Sequence, residues 1–218
     1  LWAQQKTPIA TGKMIALSKE EAAIRLNNFR GQRLRGDFIF EFDLEHMPRR
    51  GESRTHKGVL WGTWNSQGPL MRASFSALEG VQRGKSTELI LQNGSHPRVW
   101  KRKLPMSAEP SVPLPGFMEI KPSEWFQEIL TGVGYVPFDL LMPFTFWEDT
   151  QYQGTERVKG RPAHLFLARP PVHLGGIRKG FRAVRFALDD GYNTLLRVEF
   201  LGPLDKPVRT FKILSFKK

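Results

Sequence analysis

The stretch "DFIFEFDLEH" (37–46) repeats with a period of two. Phe38, Phe40, Phe42 and Leu44 point one way, while Asp37, Glu41, Asp43 and Glu45 point the other. Successive side chains on a strand alternate between faces, so this pattern predicts a half-buried strand of an antiparallel sheet. A sheet with one apolar face must bury that face against something.

Other strand-like runs surround it: 56–64, 68–78, 86–93 and 98–103 in the first half, and 151–160, 161–169, 179–190, 192–201 and 206–216 in the second. Turn signals separate them, among them "NSQG", "NGSHP", "DDGYN" and "GPLDKP". Short, regularly spaced strands predict a mainly β (α+β) chain. The expected architecture is a single curved antiparallel sheet or half-open barrel of about ten strands. One amphipathic helix precedes the strands, "SKEEAAIRLNNFR" (18–30). Ser18 and Glu21 have capping-box spacing, Ala22, Ala23, Leu26 and Phe29 share a face, and Gly31 is the expected stop. The five prolines of 104–122 exclude a central strand there. Segment 122–132 then reads as a short helix capped by Ser123, and "PFDLLMPF" reads as a second helix started by Pro137 and ended by Pro143.

The chain has 218 residues and no cysteine, which removes disulfides, Cys-ligated metals and a cysteine nucleophile. No apolar run is long enough for a membrane-spanning helix. The net charge of +12 favours acidic partners: nucleic acid, anionic headgroups or an acidic protein surface. The basic clusters 48–57 and 98–103 and the C-terminal "FKK" read equally as solvated strand faces and loops. The opening "LWAQQKTP" fits the tail of a signal peptide cleaved after Ala3. Residues 1–17 are therefore expected to be an exported N-terminal tail, and 18–218 a single domain with a lid insert at about 104–147.

Motifs of catalysis are weak. "GVQRGKST" (80–87) has one residue too few between its glycines for a phosphate loop, and a strand follows where a helix is required. The five histidines are scattered, and no G-x-S-x-G elbow occurs. No catalytic residue, metal ligand or cofactor is assigned, and the chain is not expected to be an enzyme. Trp61 and Trp64 lie three apart and so on opposite faces of one strand. Trp100, among Arg98, Lys101, Arg102 and Lys103, reads as an indole covered by cationic stems, with base stacking as the alternative.

The apolar face needs more cover than one helix of about 20 Å provides. The segment 123–147 offers it. Its glycines and prolines suggest a hinge, hence a lid over a lipid-sized pocket. A permanently closed core fits the same composition. The candidate lining is Phe38, Phe40, Phe42 and Trp61 from the sheet. The lid contributes Trp125, Phe126, Ile129, Leu130, Phe138, Leu141, Met142 and Phe144.

The order of elements, with the lid "VPFDLLMPFTFW", the hairpin "GTERVKGRP" and the closing run "VRFALDDGYNTLLRVEFLGPLDKPVRTFKI", resembles the LolA/LolB-like superfamily. It is most similar to uncharacterised relatives called outer membrane lipoprotein-sorting proteins. That resemblance implies a half-open barrel with a helical lid, a periplasmic location, and a carrier or binding protein for lipid or lipoprotein acyl chains. It also implies envelope proteins of the inner or outer membrane as further partners, and the chain is expected to be a monomer. Two readings stay beside it: a sensor or scaffold module of the same fold that binds a partner protein, and a basic barrel that binds nucleic acid, the latter not expected.

Overall fold

The computed structural model describes residues 14–32, 36–46, 54–77, 86–104, 115–130, 134–172, 174 and 180–212. The expected tail falls largely outside them, as do parts of the expected lid insert (105–114 and 131–133), the cluster at 48–53 and most of "GVQRGKST". The chain gathers into two compact units, residues 33–146 and residues 1–32 with 147–218. It is mainly β, with two antiparallel sheets in place of the single sheet expected.

The first unit holds a six-stranded meander in sequence order. Its strands are β1 Phe38–His46, β2 Arg54–Asn65, β3 Gly68–Ala77, β4 Ser86–Gln92, β5 Arg98–Leu104 and β6 Met118–Ile120. Five of these follow the period-two pattern of the sequence. The sixth is a three-residue edge strand inside the proline-rich stretch, at a margin where missing ladder donors are tolerated. The expected helix at 122–132 is a 3₁₀ turn, Pro122–Glu124, followed by irregular turns through Leu130. Apolar residues at 125, 126, 129 and 130 suit a compact turn wrapped around a tryptophan as well as they suit a helix. The second short helix forms as expected. α2 (Pro137–Leu141) begins with its proline in the first turn, and Asp139 Oδ2 accepts the Val136 N–H at 3.0 Å. Pro143 opens a 3₁₀ turn through Phe146.

The second unit pairs β7 (Thr150–Val158), β8 (Arg161–Ala168), β9 (Ala183–Asp189), β10 (Leu195–Leu201) and β11 (Pro207–Lys212), again in sequence order. The "GTERVKGRP" hairpin turns at Lys159 and Gly160, both with positive φ, the geometry that suits a two-residue loop between twisted strands. α1 (Lys19–Gly31) carries the full capping box. Glu21 N–H donates to Ser18 Oγ at 3.1 Å, and Ser18 N–H donates to Glu21 Oε2 at 2.7 Å. Gly31 is helical rather than the stop, and Gln32 ends the helix in an extended conformation. Only Ala22 and Leu26 of α1 are buried, and Ala23 and Ile24 face water. Polar clasps compensate. Arg25 Nη1 donates to the carbonyls of Asp189 and Asp190, and Asn193 Nδ2 returns a bond to Arg25 O at 2.9 Å.

Candidate apolar site on the six-stranded sheet

The register of the six-stranded sheet generates three rows of side chains on its apolar face. One runs Phe38, Gly62, Met71, Leu91, Val99, Ile120; the next Phe40, Leu60, Ala73, Leu89, Lys101, Met118; the third Phe42, Gly58, Phe75, Thr87, Lys103. Opposed residues of an antiparallel pair share a face, so these rows follow from the pairing alone.

Exposure divides this face into zones. Ala73, Phe75, Leu89, Leu91 and Val99, in its centre, are essentially inaccessible to water. α2 packs against β4 here. Trp125, Phe138, Leu141 and Phe144 are as buried as the sheet centre, each at 1% exposure or less. The Phe126 and Phe138 rings stack at 4.7 Å between centroids, and Phe144 follows at 6.3 Å from Phe138. Backbone bonds knit the turns into one piece: Phe138 N–H to Trp125 O at 3.1 Å, and Ile129 N–H to Tyr135 O at 3.0 Å. Asn93 Nδ2 donates to Leu141 O at 2.5 Å, tying the end of β4 to α2.

The β1 margin is different. Phe40 is 49% exposed, and Phe38 and Phe42 are half-buried. Phe38 and Phe42 fold across β2 onto glycines. A Cβ at Gly62 would lie 1.9 Å from Phe38 Cζ, and one at Gly58 would lie 2.2 Å from Phe42 Cζ. The rings thus occupy the space that a side chain on β2 would fill, a recognised way to stabilise glycine in a sheet. Phe38 and Phe40 stand 5.0 Å apart, centroid to centroid, and Phe42 meets Phe75 edge-on at 5.8 Å. The opposite margin carries Lys101 and Lys103. Burial, with Lys103 nearby, holds the Lys101 ammonium below its ordinary pKa, and Glu124 opposes the shift.

The expected lining therefore separates into groups. Phe38, Phe40 and Phe42 share one face and form an aromatic strip. Trp125, Phe126, Ile129, Leu130, Phe138, Leu141 and Phe144 come together as a packed apolar body, with Met142 half-buried as the left-handed cap of α2 at φ 47°. Trp61 does not join the strip. It is paired with Ile39 and Arg72 on the other face of the sheet, where the Arg72 guanidinium lies 5.1 Å from its ring centre. Trp64 is the tryptophan of that strand on the apolar face. Residues not anticipated are Asn93, Gly58 and Gly62; an Asn-Gly turn and glycines directly opposite phenylalanines are the signals that could have found them.

The polar face carries paired charges. Glu88, buried, accepts from Arg72 at 2.8 Å and from Arg102 at 2.6 Å. Arg98 donates to both oxygens of Glu119, and its guanidinium lies 4.6 Å from the Trp100 ring centre. Of the cations around Trp100 in sequence, Arg98 covers its ring, whereas Lys101 and Lys103 lie on the other face. Among the described residues, no three histidine or acidic side chains group as a metal site, and no helix is long and apolar enough to cross a membrane.

No family model and no curated protein matches the sequence. Solved structures match the fold. A DUF1329 family protein from Desulfovibrio piger aligns with a TM-score of 0.60 at 14% identity, over 87% of this chain and 75% of that one. A domain from Vibrio parahaemolyticus, provisionally described as an outer membrane lipoprotein-sorting protein, aligns with a TM-score of 0.60 at 15% identity, over 91% and 77%. A LolA superfamily protein from Nitrosomonas europaea aligns with a TM-score of 0.53 at 13% identity, over 93% and 80%. The fold is thus one that LolA superfamily structures share, as the resemblance of the sequence implied.

Proposed function

We propose that the chain is a periplasmic carrier or binding protein for lipid or lipoprotein acyl chains, folded as a half-open barrel with a helical lid. The supporting observation is the unequal cover of one continuous apolar face. Its centre is filled by side chains, whereas at its margin the strip Phe38, Phe40, Phe42 is only partly covered, with Phe40 49% exposed. An acyl chain lying along this strip gains roughly 0.8 kcal/mol per methylene removed from water. Lys101 and Lys103, on the same face, suit an anionic headgroup. The fold shared with lipoprotein-sorting and LolA superfamily structures supports the same class of ligand. The apolar cover at 123–147 acts as the lid in this proposal, and lifting it extends the strip toward Leu89 and Leu91.

The test is native mass spectrometry and lipid extraction of purified protein, with a fluorescent acyl probe added to stripped protein. Recovery of bound lipid, or saturable probe binding weakened by Phe40→Ser, is the expected result. No lipid and no probe binding sinks the carrier.

A second reading, a sensor or scaffold of the same fold with a fixed interior, is favoured by one observation. The cover is latched by the Asn93–Leu141 bond, and its side chains Trp125, Phe138, Leu141 and Phe144 are fully buried. Equal hydrogen-exchange protection of α2 and β4, with and without acyl ligand, is its signature.

A further inference from the structure

We propose that the outer edge of β1 is a docking site for a basic, extended peptide, which adds to the six-stranded sheet as a further strand. β1 is the first strand of its sheet and pairs with β2 alone among the described residues. It is nine residues long, and its outward N–H and C=O groups form a template for another strand. Natural edges are commonly blunted by shortness, proline, bulges or charge. This one has no proline, no register shift against β2, and two adjacent exposed apolar residues on opposite faces: Ile39 at 57% and Phe40 at 49%. What guards it is acid. Asp37, Glu41 and Asp43 are exposed on the face shared with Ile39.

That acid row selects the occupant. Within a chain of net charge +12 it is a local patch of opposite sign. Asp37 accepts from Thr63 Oγ1 at 2.6 Å, Lys57 stands opposite Asp43, and Glu41 faces the neutral Val59. A second copy docked β1 to β1 is disfavoured by geometry. Antiparallel partners share faces, so acid would oppose acid, and like charges directly opposed are destabilising. A peptide alternating basic and apolar residues satisfies both faces. Its cations meet Asp37, Glu41 and Asp43, and its apolar side chains extend the two rows that begin at Phe38 and Phe40. Strand addition takes affinity from main-chain bonds and specificity from alternate side chains. The docking adjoins the proposed acyl strip at Phe38 and Phe40 but does not rest on acyl binding, and failure to recover lipid leaves it untouched.

The experiment titrates the full chain into a fluorescein-labelled nine-residue peptide of alternating lysine and valine, read by anisotropy. Binding is expected, weakened about tenfold by Glu41→Lys with Asp43→Lys. The single variant Glu41→Gln, with less risk to folding, weakens it in the same direction. An equally charged peptide broken by two central prolines, and a peptide of alternating glutamate and valine, bind far less. The proposal is overturned if the lysine peptide does not bind, or if the proline-broken peptide binds equally, which marks simple charge attraction. It is also overturned if sedimentation shows self-association through this edge that the peptide does not displace.

Discussion

Asn93 and Leu141, forty-eight residues apart in sequence, are joined by a hydrogen bond from Asn93 Nδ2 to the Leu141 carbonyl at 2.5 Å. The same side chain's Oδ1 accepts the N–H of Gly94 at 2.9 Å. One buried amide thus shapes the turn after β4 and anchors the C-terminal end of α2. Asn93→Ala removes both bonds and leaves a carbonyl unsatisfied, at a cost of about 1–3 kcal/mol. Chemical denaturation measures the loss. Hydrogen exchange should show the greatest fall in protection at 137–142, and uniform loss across the sheet would contradict the latch.

Phe40 and Phe138 separate binding from stability. Phe40 is half-exposed, so Phe40→Ser should change stability by less than about 1 kcal/mol while weakening acyl-probe binding. Phe138 is fully buried, and Phe138→Ala should cost about 3–5 kcal/mol. Thermal melts beside probe titrations distinguish the two. If Phe40→Ser leaves probe affinity unchanged, the open strip is not where the chain lies.

Gly62 and Phe38 should be energetically coupled. Gly62→Ala places a methyl group where the Phe38 ring now rests and forces it away, at a cost of about 1–3 kcal/mol. In a variant that already carries Phe38→Ala the same substitution should cost less. The cycle is predicted to show a coupling of at least about 0.5 kcal/mol, and additive effects would refute the pairing.

Asp189 makes an acid-sensitive contribution to the five-stranded unit. Burial alone would raise its pKa, but the Arg161 guanidinium at 2.6 Å and the N–H groups of Tyr192 and Gly191 outweigh burial and hold it below the ordinary value. A depressed folded-state pKa stabilises above the unfolded value of about 3.9, and that stability is lost as pH falls through the folded value. Stability should therefore decline below about pH 4, more steeply than in Asp189→Asn. Denaturation at stepped pH checks this, and identical acid limbs would refute it.

Most strand positions were legible from apolar runs bounded by turn signals, and α1 because Ser18 and Glu21 mark its start; the three-residue β6 was not, because prolines surround it. What lay hidden was relational. The division into two sheets depends on which strands pair, and no strand's own pattern records its partner. Trp61 was correctly opposed to Trp64, but which of the two shares the face of Phe40 is set by β2 pairing with β1 and β3. The irregular turns of 125–130 bury the same residues a helix would have buried, so the apolar spacing could not separate the two. Asn93 and Gly62 matter through neighbours 48 and 24 residues away, a reach that local sequence does not display.

α1 belongs with strands made long after it. Its clasps reach Trp147, Asp189, Asp190 and Asn193, up to 168 residues further along. During synthesis this helix emerges before every described strand, yet its docking site is incomplete until the turn before β10 is made. Every strand of the six-stranded unit emerges in that interval. A strongly amphipathic helix would be a hazard while it waited, ready to stick to any exposed strand. Two buried residues and a set of polar clasps make α1 a late joiner that can remain in water without harm, so a late event in assembly is expected to involve a segment made before any of the described strands.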